Sequence, residues 1–187
     1  MLSFNYRLLL VKGEKFFKKP EMKNLSTLIL IFVFVLTASS VRAQGPIPNI
    51  TDSRLDFTVT SLKGDSIKLS SLKGKVVLLD FWASWCAPCR FSNKQLVKLY
   101  SKYKDKGLEI LGVSLDDESK DWKKAVTKDK ITWMQGIDTG GWEALAAIKW
   151  QVDALPSSFL INKDGDVVAI NLEKGELEKK IKELLGL

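Results

Sequence analysis

The run Lys75-Val76-Val77-Leu78-Leu79-Asp80-Phe81-Trp82 constrains this chain more than any other segment. Eight residues with a single interior acid cannot alternate between a wet and a dry face, so the run reads as a strand buried on both sides. Such a strand sits in the middle of a sheet covered by helices on both faces. Downstream, Leu96, Leu99, Tyr100 and Tyr103 recur at helical spacing, Gly107 ends the helix, and Leu108 to Leu115 forms a second apolar run. Strand, helix and strand joined in this way place the two strands parallel. Upstream, Phe57 and Val59 alternate with Thr58 and Thr60, Lys63-Gly64-Asp65 turns, and Ile67 and Leu69 alternate again, which predicts a β-hairpin. Trp122, Ala125 and Val126 mark a further helix, and Trp142, Leu145 and Ala146 a short one. Ser158–Ile161 and Val167–Ile170 flank the turn Asn162-Lys163-Asp164-Gly165, a second hairpin. Leu177, Ile181, Leu184 and Leu185 give a closing amphipathic helix. The expected fold is α/β: a mixed central sheet with helices on both faces and an N-terminal β-hairpin.

Three regions are expected. Residues 25–38 hold a short apolar stretch, Leu28 to Leu36, below the roughly 20 residues of a membrane span. Met22-Lys23-Asn24 precedes it, and Val41-Arg42-Ala43 then Gln44 follow. A basic n-region, an apolar h-region and a small-residue site form a signal peptide, cut after Ala43 and read from Met22 as the start. Residues 1–43 are therefore an N-terminal extension and signal peptide, with an uncleaved membrane anchor as the alternative. Residues 44–54 read as a polar linker, and residues 55–187 as the folded domain. The destination is periplasmic or otherwise extracytoplasmic.

Charge distribution excludes one class of partner. The net charge is +7, but residues 1–43 contribute +5 of it through seven basic and two acidic side chains. The remainder is close to balanced, leaving no basic footprint for nucleic acid. The chain has no histidine and two cysteines, three positions apart. A four-ligand zinc site cannot be completed, and no imidazole is present for acid–base work. Haem attachment needs His after the second cysteine, where Arg90 stands. No metal is expected.

What remains is the pair itself. Cys86 ends a buried strand and begins a helix, where free N–H groups and the helix dipole favour a thiolate. Pro88 suits the first turn, which lacks an N–H partner anyway. Cys89, one turn in, can close a disulfide. Cys86 is expected as the exposed attacker and Cys89 as the shielded resolver, with Trp85, Ala87 and Pro88 around them. A static disulfide is the other reading, but so short a loop restrains little chain entropy. Asp80 stands alone in its apolar run, where a carboxylate is costly and raised in pKa. Of the tryptophans, Trp82, Trp122, Trp133, Trp142 and Trp150 read as packing residues. Asp116-Asp117-Glu118 reads as a solvated loop and helix start. Arg90 either adds positive charge near the thiols or is solvated.

Val76 to Cys89 (VVLLDFWASWCAPC) resembles the active-site segment of thioredoxins. Gly74-Lys75-Val76-Val77, Gly112-Val113-Ser114-Leu115-Asp116 and Val152 to Ile161 (VDALPSSFLI) resemble the TlpA/ResA-like branch of that family. The resemblance covers residues 55–187 and implies a thioredoxin-like fold. It implies that Pro156 is a cis-proline facing the cysteine pair, and that Leu155 before it pairs by backbone with substrate. It implies that Asp80 shuttles the proton of Cys89, and that Trp85 borders the substrate surface. This chain departs from the branch at Asp80, where Asn is common, at Ser92, where Glu is common, and at Lys94, where Pro is common. The activity implied is thiol–disulfide exchange with protein substrates, with the Cys86–Cys89 disulfide as redox centre and no cofactor. Reduction is the implied direction, supplied by a membrane electron donor. A disulfide oxidase or isomerase, a peroxidase of peroxiredoxin type and a non-catalytic interaction module are the rivals. The peroxidase pattern would need Thr at 83 and Pro at 79, where Ala83 and Leu79 stand.

Overall fold

The computed structural model describes residues 48–187. The start at Met22, the signal segment, the cut after Ala43 and residues 44–47 of the linker lie outside the described residues. Strands β1 (Thr58–Ser61) and β2 (Ser66–Lys68) form the first hairpin. Then follow β3 (Val76–Trp82), α1 (Ala87–Tyr103), β4 (Leu108–Ser114), α2 (Ser119–Asp129) and β5 (Met134–Ile137). The chain closes with α3 (Leu145–Lys149), β6 (Ser157–Ile161), β7 (Val167–Ile170) and α4 (Lys174–Leu185). The sheet order is β2-β1-β5-β4-β3-β6-β7. β3, β4 and β5 run parallel; β1, β6 and β7 join antiparallel. The mixed sheet expected from the sequence is thus present, with β3 near its centre and all seven of its residues buried.

Side chains alternate across a strand, so β3 splits its residues between two cores. Val76, Leu78 and Trp82 pack with Leu96 of α1, Trp122 of α2 and Leu177 and Ile181 of α4. Val77, Leu79 and Phe81 pack on the other face with Ala146 and Ala147 of α3, Trp150 and Phe159. Full burial of each such Leu or Phe contributes about 1.5–3 kcal/mol. Asp80 shares parity with Leu78 and Trp82, which puts it on the α1 face. Helix α1 passes into a short 3-10 turn, and Gly107 at φ 105° turns the chain into β4. That left-handed conformation is cheap only for glycine.

Two differences from expectation stand out. Strand β5 was not anticipated, because four residues containing Gln135 and Gly136 show no apolar alternation. It pairs Thr60 with Ile137 and so joins the N-terminal hairpin to the sheet. Gly136 makes that close approach possible: a Cβ there would lie 2.2 Å from Cγ2 of Val59. The packed residues also begin before Leu55. Ile50 is fully buried, its N–H donates to Gly165 O at 2.9 Å, and Val167 N–H donates to Pro48 O at 2.8 Å. The last residues expected as linker are therefore docked against the β6–β7 turn, since a buried Ile outweighs the polar residues around it.

Candidate active site

Cys86 and Cys89 form a disulfide across the first turn of α1, with Cα atoms 5.3 Å apart. Cys86 is the N-cap residue, in extended conformation, and Pro88 stands in the first turn. The N–H of Cys89 donates to Cys86 Sγ at 3.2 Å. The sulfur thereby occupies the place where a helix N-terminus satisfies an anion. Cys86, expected as exposed, is buried in the disulfide form. It is 5% exposed against 1% for Cys89, because its sulfur is folded back over the helix end. Its chain neighbours Trp85, Ala87 and Pro88 are all exposed.

Trp85 is 59% exposed, and its ring meets that of Trp142 edge-on, 6.3 Å between centroids. Trp142, expected as a packing residue, is itself 47% exposed. It sits in a 3-10 turn ahead of α3, whose Leu145 and Ile148 are also exposed. Their buried neighbours Ala144, Ala146 and Ala147 are small, so α3 holds to the sheet by alanines and leaves its larger apolar side chains outward. Helical spacing could not show this, since it identifies an apolar stripe without saying which side is covered. Trp82, Trp122, Trp133 and Trp150 are buried as expected.

The peptide Leu155–Pro156 is cis. In the β3–β6 register Phe81 faces Ser157 and Asp80 faces Ser158, so Pro156 falls at the end of β3 from which the cysteine loop departs. Pro156 is exposed and Leu155 half-buried against both cores. Asp80 and Pro156 line one cavity of about 400 Å³, together with Ser92 and Leu96 of α1, Ser158 and Leu177. Asp80 is 5% exposed, and burial alone pushes its carboxyl up to about 7. Desolvation of this kind disfavours the charged form.

The sequence reading missed a second set of residues. Asp116 was expected in a solvated loop, yet it is buried at the end of β4. It accepts the N–H of Ser84 at 2.9 Å and the Ser84 hydroxyl at 2.6 Å. Arg90 is neither solvated nor free beside the thiols. Its guanidinium pairs through two nitrogens with Asp129, and Nη1 donates to Ser84 O at 3.1 Å. Burial pushes the Asp129 carboxyl upward, but hydrogen bonds from Arg90 and Asn93 outweigh it and hold it below the usual carboxylate range. The signal that could have found these residues is the charge partnership of a lone Arg in the first helical turn. The partner, 39 positions away, has no local mark.

Known proteins agree with this geometry. The sequence pattern of the AhpC/TSA family matches residues 50–170. Thiol-disulfide oxidoreductase ResA of Bacillus thuringiensis is 41% identical over 125 residues, 67% of this chain and 69% of that protein. The chain belongs to the ResA-like thiol-disulfide oxidoreductases. Solved structures of this class superpose on it. A thiol-disulfide oxidoreductase from Bacteroides fragilis gives a TM-score of 0.65 at 32% identity, covering 69% of this chain and 96% of its own. The thioredoxin domain of one from Bacteroides vulgatus gives 0.64 at 34%, covering 70% and 93%. As a ResA-like protein it has a thioredoxin-like fold and exchanges thiols and disulfides. Among the described residues no group of three or more His, Cys, Asp or Glu is placed to hold a metal ion. No helix there is long and apolar enough to cross a membrane.

Proposed function

We propose that this ResA-like chain is an extracytoplasmic protein-disulfide reductase in which Cys86 attacks, Cys89 resolves and Asp80 moves the proton. The observation that carries this reading is the placement of Cys86 Sγ at the N-cap of α1, with Asp80 buried on the side of β3 that faces α1. In the reduced state the Cys86 thiolate attacks a substrate disulfide. A mixed disulfide forms and one substrate sulfur leaves as a thiolate, which takes a proton from solvent. Cys89 then gives its proton to the Asp80 carboxylate and attacks Cys86 Sγ. The second substrate sulfur leaves, and Cys86–Cys89 closes as the oxidised product. Two electrons pass to the substrate with no further cofactor. A membrane dithiol donor on the same side restores the pair.

Asp80 suits that step because a base transfers protons best when its pKa lies near the working pH. Substrate would lie across Trp85, Ala87 and Pro88, with its backbone against Leu155 and its approach bounded by Pro156. Export rests on the basic, apolar and small-residue pattern of residues 22–43. Ala83 and Leu79 stand against a peroxidase despite the AhpC/TSA match. The test is trapping: Cys89→Ser accumulates mixed disulfides with protein partners and Cys86→Ser does not. Trapping by Cys86→Ser alone reverses the roles. The direction is read from the equilibrium potential of the pair: about −270 mV supports a reductant, and about −120 mV an oxidant.

A further inference from the structure

Ser84 lies two residues before Cys86, in the loop between β3 and α1, and every polar group it owns is held. Its N–H and hydroxyl go to the two carboxylate oxygens of Asp116, and its carbonyl accepts from Arg90. Neither partner is loose. Asp116 also accepts from Ser114 Oγ at 2.5 Å, while its own N–H donates to the same hydroxyl at 3.1 Å. Arg90 is fastened to Asp129, the last residue of α2, which also accepts from the buried Asn93 Nδ2 at 3.1 Å. A single exposed ion pair would hold little. This one is bidentate, largely out of water and part of a connected chain running from β4 through Ser84 and α1 to α2.

That chain matters most when the disulfide is open. In the oxidised state Cys86 is tied covalently to Cys89. Reduction removes the tie, and the loop Ala83-Ser84-Trp85 must then keep Cys86 at the helix end without it. Its other backbone fastenings are the hydrogen bond from Cys86 N–H to Ala83 O at 3.1 Å and the first helical bond, from Arg90 N–H to Cys86 O at 3.1 Å, and neither fixes Ser84 and Trp85. We propose that Arg90 and Asp116 are positioning residues: by clamping Ser84 from opposite sides they aim Cys86 Sγ at the incoming disulfide in the reduced enzyme. Thiolate attack needs the nucleophile in line with the sulfur–sulfur bond, and a misplacement of about 1 Å costs up to about a hundredfold in rate. The charge of Arg90 is engaged by Asp129, so its contribution is direction rather than attraction of the thiolate. The clamp rests on Cys86 being the attacking sulfur.

The test separates geometry from charge. Arg90→Lys keeps the cation, but one ammonium cannot hold Asp129 by two parallel bonds and reach Ser84 O as well. The reduced full chain is reacted with dithiobis-nitrobenzoate, and the second-order rate is followed against pH. Arg90→Lys and Arg90→Met are both expected to react about tenfold more slowly, within the range that misalignment produces, with the midpoint of the Lys variant's pH profile unmoved. A Lys variant with wild-type rate, beside a slow Met variant, overturns the proposal in favour of charge; wild-type rates in both overturn it outright. Should the variants fail to fold, amide hydrogen exchange of the unsubstituted protein decides. The Ser84 N–H stays protected in the reduced state if the clamp holds, and exchange at the open-chain rate sinks it. A Cys86→Ala control shows which sulfur reacts. Reaction through Cys89 would refute the assigned attacker, while Ser84 protection continues to report on the clamp alone.

Discussion

Replacing Asp80 by Asn should make the protein more stable, and by an amount that depends on pH. The Asp80 carboxyl titrates near 7 in the folded chain against an ordinary value of 3.8, and burial is the cause. The folded state therefore holds this proton over a range where the unfolded state has lost it. Well below pH 3.8 both states are protonated and the ionisation of Asp80 leaves stability unchanged. As pH rises from there the unfolded state ionises first, and stability falls. Above about pH 7 both are ionised and the penalty is constant. A separation of roughly three pH units at about 1.4 kcal/mol each amounts to roughly 4 kcal/mol. At pH 5 only about 1.5 kcal/mol has accumulated. Asn keeps the shape and does not titrate, so its own burial shifts all points equally. Urea unfolding of the oxidised protein at pH 4, 5, 6 and 8 should show the Asn variant gaining on wild type by roughly 4 kcal/mol across the series. The slope, rather than the offset, is diagnostic. Parallel stability profiles for the two proteins would mean that Asp80 is not desolvated, and the assignment of a base near neutrality would fall with it. If the slope is found, the same substitution should slow resolution of the mixed disulfide and remove an inflection near pH 7 from its rate.

Trp142→Ala should lower kcat/KM for a protein disulfide such as insulin several-fold while leaving reaction with a small disulfide unchanged, because the exposed Trp142 ring extends the surface of Trp85; equal loss on both substrates would place it in the redox step instead. Ile50→Ala should cost about 2–5 kcal/mol in urea unfolding, the range for a fully buried Ile, and no loss would show that the segment before Leu55 is not part of the cooperative unit. Intact mass of the exported protein should give Gln44 as the first residue; recovery only of an uncut chain from membranes would support an anchor.

How far the fold could be read depended on the range of the interactions that make it. β3 and β4 announce themselves because a doubly covered strand has to be apolar throughout. The cysteine pair announces itself through its place between strand and helix. β5 did not, because its pairing with β1 relies on a missing side chain at Gly136 rather than on any apolar pattern. Trp142 is exposed for a related reason: composition favours burial of a large aromatic, yet the buried Ala144, Ala146 and Ala147 beside it already pack into the core. An acidic triplet is usually solvated, yet Asp116 is buried. Its partner in the active-site loop is Ser84, 32 residues away, and no local spacing records such a partnership.

The division of β3 into two faces explains why fold and chemistry do not compete in this strand. Val77, Leu79 and Phe81 pack within the α3-side core among other apolar side chains. Val76, Leu78 and Trp82 pack beneath α1, α2 and α4, and there the cavity beside Pro156 leaves room for one carboxyl among them. A register slip of one residue would exchange Asp80 with Leu79 or Phe81, burying the acid in the α3-side core and turning a leucine or a phenylalanine into the cavity. Seven paired positions with β4 and five with β6 oppose that slip. The apolar residues on either side of Asp80 thus do more than stabilise the sheet. By fixing its parity they hold the single acid of β3 on the face where the cysteine helix begins.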